Sequence, residues 1–124
     1  MRHGERMPFH AARETIGNVD FETVAQLAST AGDISLVLDA SGRILDVAFA
    51  HGDPVGRKRW IGNDWLETVT VESRAKIGDM LAAAAAHELP RWRQVNHSTD
   101  AGDVPVRYLA VGTREGRVIA IGQD

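Results

Sequence analysis

Cysteine is absent from the 124 residues, which removes any disulfide framework, thiolate nucleophile or cysteine-ligated metal. A surplus of positive charge is absent too. Lys and Arg number 14 against 17 Asp and Glu, a net charge of −3. Gripping DNA or RNA needs a concentrated basic face, so these residues are not expected to contact nucleic acid by themselves. No apolar run approaches the roughly 20 residues of a membrane span, and the N-terminus lacks the apolar core of a signal peptide. The expectation is a cytoplasmic chain without membrane contact. Reaction chemistry is equally unsignalled. No Ser or Thr stands in a nucleophile elbow, and Asp33, Asp39 and Asp46 flank strands as turn and solvent residues. Gly52, Gly56, Arg57 and Lys58 lack the spacing, and the following Ser or Thr, of a phosphate-binding loop. An enzyme is not expected.

What is present suits one domain. The hydrophobic share is 44% and the charged share 25%, and a chain of this length buries roughly 65% of its unfolded surface. Residues 1–19 read as a polar, flexible leader, partly helical near Ala11 to Ile16. Residues 20–32 read as a helix: Phe21, Val24, Ala25 and Ala28 recur on one face, with Leu27 alongside. Asp20 is placed to cap its start, and Gly32 to end it in a left-handed conformation. Residues 33–124 form the domain proper. Ile34–Asp39 and Arg43–Phe49 read as a hairpin turning at Ala40-Ser41-Gly42. A Gly- and Pro-containing loop, Ala50–Asn63, and a short helical turn with Trp65 and Leu66 as its plug follow. Thr70 is expected to cap the best helix, whose apolar face is Ile77, Met80, Leu81 and Ala84 and which Pro90 ends. Arg91–His97, Pro105–Tyr108 and Arg117–Ile121 read as a three-stranded meander. The expected class is α+β, a five-stranded antiparallel sheet with helices on one face and an N-terminal helix.

This order resembles a PAS domain. Asp39-Ala40-Ser41-Gly42 is similar to the hairpin turn common there, and Ile61–Leu66 to the entry to the short helices. Thr68–Arg74, Arg91–His97, Pro105–Tyr108 and Ile121–Asp124 together resemble the N-terminal PAS domain of the PpsR/CrtJ family of photosystem-gene repressors, over about Ala31 to Asp124. Such regulators carry a helical linker, two further PAS domains and a C-terminal helix-turn-helix. The resemblance therefore implies either a segment of a longer regulator or a free-standing relative. Neither a helix-turn-helix nor the cysteines of family redox sensing lie in these residues. It also implies a sensory and oligomerisation role through protein contacts, as a homodimer or higher homo-oligomer, with an antirepressor protein as another kind of partner.

The candidate contact residues are Phe21, Val24, Leu27 and Ala28, whose apolar face must be buried on the chain's own sheet or on a second subunit. The strand residues that carry the resemblance are Trp92, Arg93, Asn96, His97, Arg107 and Tyr108. Alternation sets Arg91, Arg93, Val95 and His97 on one face of their strand and Trp92, Gln94 and Asn96 on the other. Trp92 is read as core in preference to a contact residue. Arg107 is expected to meet Gln94 or Asn96, and Tyr108 to pack beside Arg93 or Val95, with a structural hydrogen-bonding role preferred to a ligand role. No cofactor is expected. A haem would need an axial histidine pointing into an apolar cavity, yet His51 lies in a loop and His87 and His97 are expected to face solvent. A flavin adduct would need the missing cysteine. Trp60, Trp65, Trp92, Phe49 and Met80 are expected to fill the interior. The alternative reading is a small-ligand or haem-binding sensor.

Overall fold

The computed structural model describes residues 7–52 and 57–124, the side chains of residues 57 and 58 excepted. The basic start of the leader, residues 1–6, and Gly56 of the rejected phosphate loop lie outside the described residues. In chain order come α1 (Ala12–Thr15), α2 (Phe21–Ala31), β1 (Ile34–Leu38) and β2 (Ile44–Phe49). Three short 3-10 turns follow (Arg57–Trp60, Trp65–Thr68, Val71–Ser73), then α3 (Arg74–Ala85), β3 (Arg93–Thr99), β4 (Gly102–Gly112) and β5 (Val118–Gln123).

The strands form one antiparallel sheet in the order β2-β1-β5-β4-β3. The hairpin β1–β2 and the meander β3–β4–β5 are local pairings. The non-local step is β1 against β5, in register from Ile34↔Gly122 to Leu38↔Val118. Because side chains alternate across a strand, that register gives the sheet two faces. Ile34, Leu36, Leu38, Val95, Val106, Tyr108, Ala110, Val118 and Ala120 are buried on the inner face, where Ile77, Met80 and Ala84 of α3 and Trp65 meet them in one core. Ser35, Val37, Leu109, Val111, Ile119 and Ile121 belong to the outer face by the same alternation.

The first hairpin turns as expected. Gly42 takes φ 93°, a left-handed value that favours glycine, and Oδ1 of Asp39 accepts from Ser41 N, Ser41 Oγ and Arg43 N. Gly32 differs from expectation. It is extended, φ −123° and ψ 162°, and what it supplies is space, since a Cβ there would stand 2.6 Å from Ile121 Cγ2. Thr70 also differs. Its side chain makes no cap; the helix proper begins at Arg74, and the Thr70 hydroxyl donates instead to Ser73 Oγ. Nor does Pro90 end α3. The helix stops at Ala85 and the chain reverses at His87, a non-glycine with φ 54°, whose N–H donates to Ala84 O.

At each sheet edge irregular chain pairs with part of the edge strand. Ile44 N donates to Asn63 O on the β2 side. On the β3 side Thr70 N donates to Asn96 O, and Asn96 N to Ser73 Oγ.

Candidate functional site

Two places gather the residues singled out by sequence: the interior around His97, and the outer surface formed by α2 and the sheet.

His97 is fully buried, 0% exposed, which corrects the expectation of a solvent-facing residue. The cause is register. Val104, Val106 and Tyr108 alternate inward along β4, and β3 pairs His97 with Val104 and Val95 with Val106, so His97 must point inward with them. The imidazole is held on both nitrogens. Nδ1 lies 3.0 Å from Thr68 O and Nε2 lies 2.8 Å from the Tyr108 hydroxyl. A carbonyl can only accept, so Nδ1 carries a proton toward Thr68 O, while Nε2 shares a hydrogen bond with the Tyr108 hydroxyl. The ring stacks on Trp60 at 4.5 Å between centroids, and Trp65 meets Tyr108 edge-on at 5.1 Å. Tyr108 thus has the structural hydrogen-bonding role expected of it, beneath Gly122, where a Cβ would strike its ring at 2.6 Å. Trp65 is also fully buried, and its Nε1 finds no acceptor among the described residues.

Helix α3 lies directly on the sheet over this cluster. A Cβ on Gly112 would stand 2.9 Å from the Ala84 carbonyl carbon, and one on Gly42 would meet Leu81 Cδ1 at 2.7 Å. Trp65 and Met80 fill the interior, and Phe49 and Trp60 pack against it half-buried. Trp92, expected in the core, does not join them. It is 40% exposed and lies just ahead of β3, where alternation with inward Val95 and His97 puts the even-numbered side chains outward. The Arg107 guanidinium covers it, 5.0 Å from the ring centre. Arg107 donates to Gln123 Oε1 at 2.8 Å, not to Gln94 or Asn96, although Gln94 is its register partner. Asn96 works through its backbone at the sheet edge. Arg93 stands 3.9 Å from Asp79 across a cleft of about 270 Å³ that Met80, Glu88 and Arg91 also line.

The N-terminal helix divides the four residues proposed for it. Asp20 caps its start, accepting from Thr23 N and Thr23 Oγ1; the bond to the Thr23 side chain comes first among the causes holding this carboxyl below its ordinary value. Ala28 faces the outer sheet, and its carbonyl accepts from Ser35 Oγ at 2.6 Å. Ala25, Ala28 and Ser29 border a groove of about 110 Å³ against Ser35, Val37, Ala48 and Ile119. Phe21, Val24 and Leu27 remain 80%, 36% and 65% exposed. The helix therefore puts its small residues on its own sheet and its large apolar ones elsewhere. Sequence periodicity joined all four because it cannot tell which side of an apolar stripe meets the sheet.

Among the described residues no three His, Asp or Glu side chains converge as a metal site, and no helix is long and apolar enough to cross a membrane. An antiparallel sheet of this order, one long helix across its inner face and short helical turns between define the PAS fold, and solved structures agree. A domain of a sensory box sensor histidine kinase/response regulator from Geobacter sulfurreducens superposes with a TM-score of 0.64 at 24% identity, covering 90% of this chain and 99% of that one. The PAS domain of an HTR-like protein from Haloarcula marismortui gives 0.61 at 21%, covering 83% and 97%. The PAS domain of the Cronobacter turicensis quorum-sensing receptor RpfR, solved in complex with BDSF, gives 0.59 at 13%, covering 73% and 91%. The chain has the PAS fold, and it resembles protein CrtJ of Rhodobacter capsulatus, with 27% identity over 120 residues and 94% of this chain. It spans about a quarter of the length of that relative, 25%. No family model matches the chain.

Proposed function

We propose that this PAS domain is the sensory and oligomerisation module of a bacterial transcriptional regulator of the photosystem-gene repressor type, working in the cytoplasm through protein–protein contacts rather than catalysis. The resemblance to CrtJ supports the regulatory setting. The observation that carries the contact role is the inverted packing of α2, which leaves Phe21, Val24 and Leu27 in water while alanines face the sheet. Contiguous apolar surface left exposed in this way marks an interaction site. The occupant is a second copy, giving a homodimer whose interface combines this flank of α2 with the outer sheet face. An antirepressor protein would compete for the same surface.

Light-scattering mass across a concentration series tests this reading. The wild type is expected to reach dimer mass, and Val24→Asp/Leu27→Asp to stay monomeric with an unchanged circular dichroism spectrum. A wild type that remains monomeric up to its highest attainable concentration would overturn it.

A second reading, a small-ligand sensor, is favoured by one feature, the buried Trp65 Nε1 with no acceptor. A buried donor without a partner costs about 1–3 kcal/mol, and a ligand oxygen would relieve it. Against a haem held by His97 stands the engagement of both its nitrogens. We propose no resident cofactor. A Soret or flavin band that survives gel filtration would reverse that.

A further inference from the structure

Two surface features have chemistry that neither uses within its own chain. The first is a platform on the outer face of β3 and β4. Trp92 is 40% exposed and lies under Arg107, which Gln123 holds from the far side. Stacking and hydrogen bonding thus fix the guanidinium, yet no carboxylate pairs with it among the described residues. Val111, 42% exposed, extends the apolar surface along the same face. The chain's own α2 leaves this half of the sheet open. Its groove is bordered by residues of β1, β2 and β5.

The second feature is the first turn of α2. Phe21 is 80% exposed and stands between two acids. Asp20 is occupied by its cap to Thr23. Glu22 has no basic side chain within ion-pair reach among the described residues. One feature is therefore an aromatic ring beside a free carboxylate, and the other an aromatic ring beneath a pinned guanidinium.

We propose that Phe21 and Glu22 of one copy dock on Trp92 and Arg107 of the other, a contact that rests on the dimer reading above. A two-fold axis makes the contact twice, because each surface patch is present on both copies. Charge complementarity selects a second copy as the occupant. The platform offers a cation on an aromatic floor, and the α2 turn presents the matching anion beside an aromatic ring, where cation–π attraction and ion pairing act together.

Glu22 and Arg107 are both exposed, so E22R and R107E are expected to keep the wild-type circular dichroism and melting point. Each variant alone sets like charges against each other twice per dimer and should weaken self-association at least ~10-fold in sedimentation equilibrium. An equimolar mixture should recover wild-type affinity, because in the heterodimer both contacts pair Arg with Glu. The doubly reversed E22R/R107E chain should recover it within one polypeptide. Single variants that keep wild-type affinity, or a mixture that stays monomeric beside a dimeric wild type, would overturn this contact and leave the dimer standing. A wild type that never dimerises would remove both.

Discussion

Asp39 shows how much one side chain organises locally. Its Oδ1 accepts the Ser41 hydroxyl at 2.6 Å and the N–H groups of Ser41 and Arg43 at 3.0 Å. The Ser41 hydroxyl bond, then the Arg43 amide bond, hold the carboxyl below its ordinary 3.8. A carboxylate whose folded pKa is depressed adds stability that is present above the unfolded value and disappears as pH falls through the folded one. The hairpin's contribution is therefore expected to be intact near neutrality and to decline in acid below that ordinary value. Asp39→Asn should flatten the acid limb of a stability–pH profile; a limb unchanged in the variant would show that the turn is held by other groups. The tryptophans and histidines separate just as clearly. Removing His97, with both nitrogens bonded in a buried site, should cost about 2–4 kcal/mol in urea unfolding, whereas Trp92→Ala, on the outer face, should cost less than about 1.5 kcal/mol. A larger loss at Trp92 than at His97 would reverse the assignment of faces.

The consequential feature at the element scale is how closely α3 and α2 approach the sheet. Gly112 lets the α3 backbone rest on β4, which sets how closely the helix approaches the sheet at that end. Gly112→Ala should force the helix outward and destabilise the domain by about 3 kcal/mol, as overpacking does where backbone cannot yield. If thermal melts show Gly112→Ala to be neutral, the interior is looser than this contact implies. At the other end, Gly32 performs a similar service between α2 and β5. Asp33 N donates to Gly122 O, and Asp124 N to Asp33 Oδ2. The exit of α2 and the end of β5 are thus tied at one joint, so displacement of α2 by a partner would be felt at the end of the last strand. Hydrogen exchange at the Asp33 and Asp124 amides should slow when the dimer forms. No change at either amide on association would disconnect the joint from the interface.

For the whole molecule, the sheet order decides what can be a surface. The β1–β5 pairing closes the two local units into one sheet, with α3 and the 3-10 turns on one side and α2 across part of the other. The exposed apolar residues lie on the outer face and on α2, which directs association there. That bias leads to a specific expectation. Substitutions on the open outer face, such as Val111→Asp, should reduce dimer affinity without lowering the melting point. Polar substitutions at the inner positions Val106 or Leu36 should unfold the domain before any effect on association is seen. Equal behaviour of the two classes in paired melting and sedimentation measurements would contradict the two-faced sheet.

Elements came through from residue order alone because their signals are local. The Pro105–Tyr108 strand, which the structure extends to Gly102–Gly112, the Asp39–Gly42 turn, the Asp20 cap and the Ile77–Ala84 periodicity each act over a few residues, and the structure keeps them. Which face of β3 turns inward is not local. It follows from pairing with β4, and the bulk of Trp92 outweighed, in the linear reading, the quieter pattern of Val95 and His97. The same limit applied to α2, whose apolar stripe was visible but whose sheet-facing side depends on where β1 and β5 lie. It applied to Gly32, whose role is the room it leaves for Ile121 some ninety positions away. Contacts distant along the chain are made by the fold, and burial, the His97–Tyr108–Thr68 bonds and the exposed flank of α2 exist only once those contacts form.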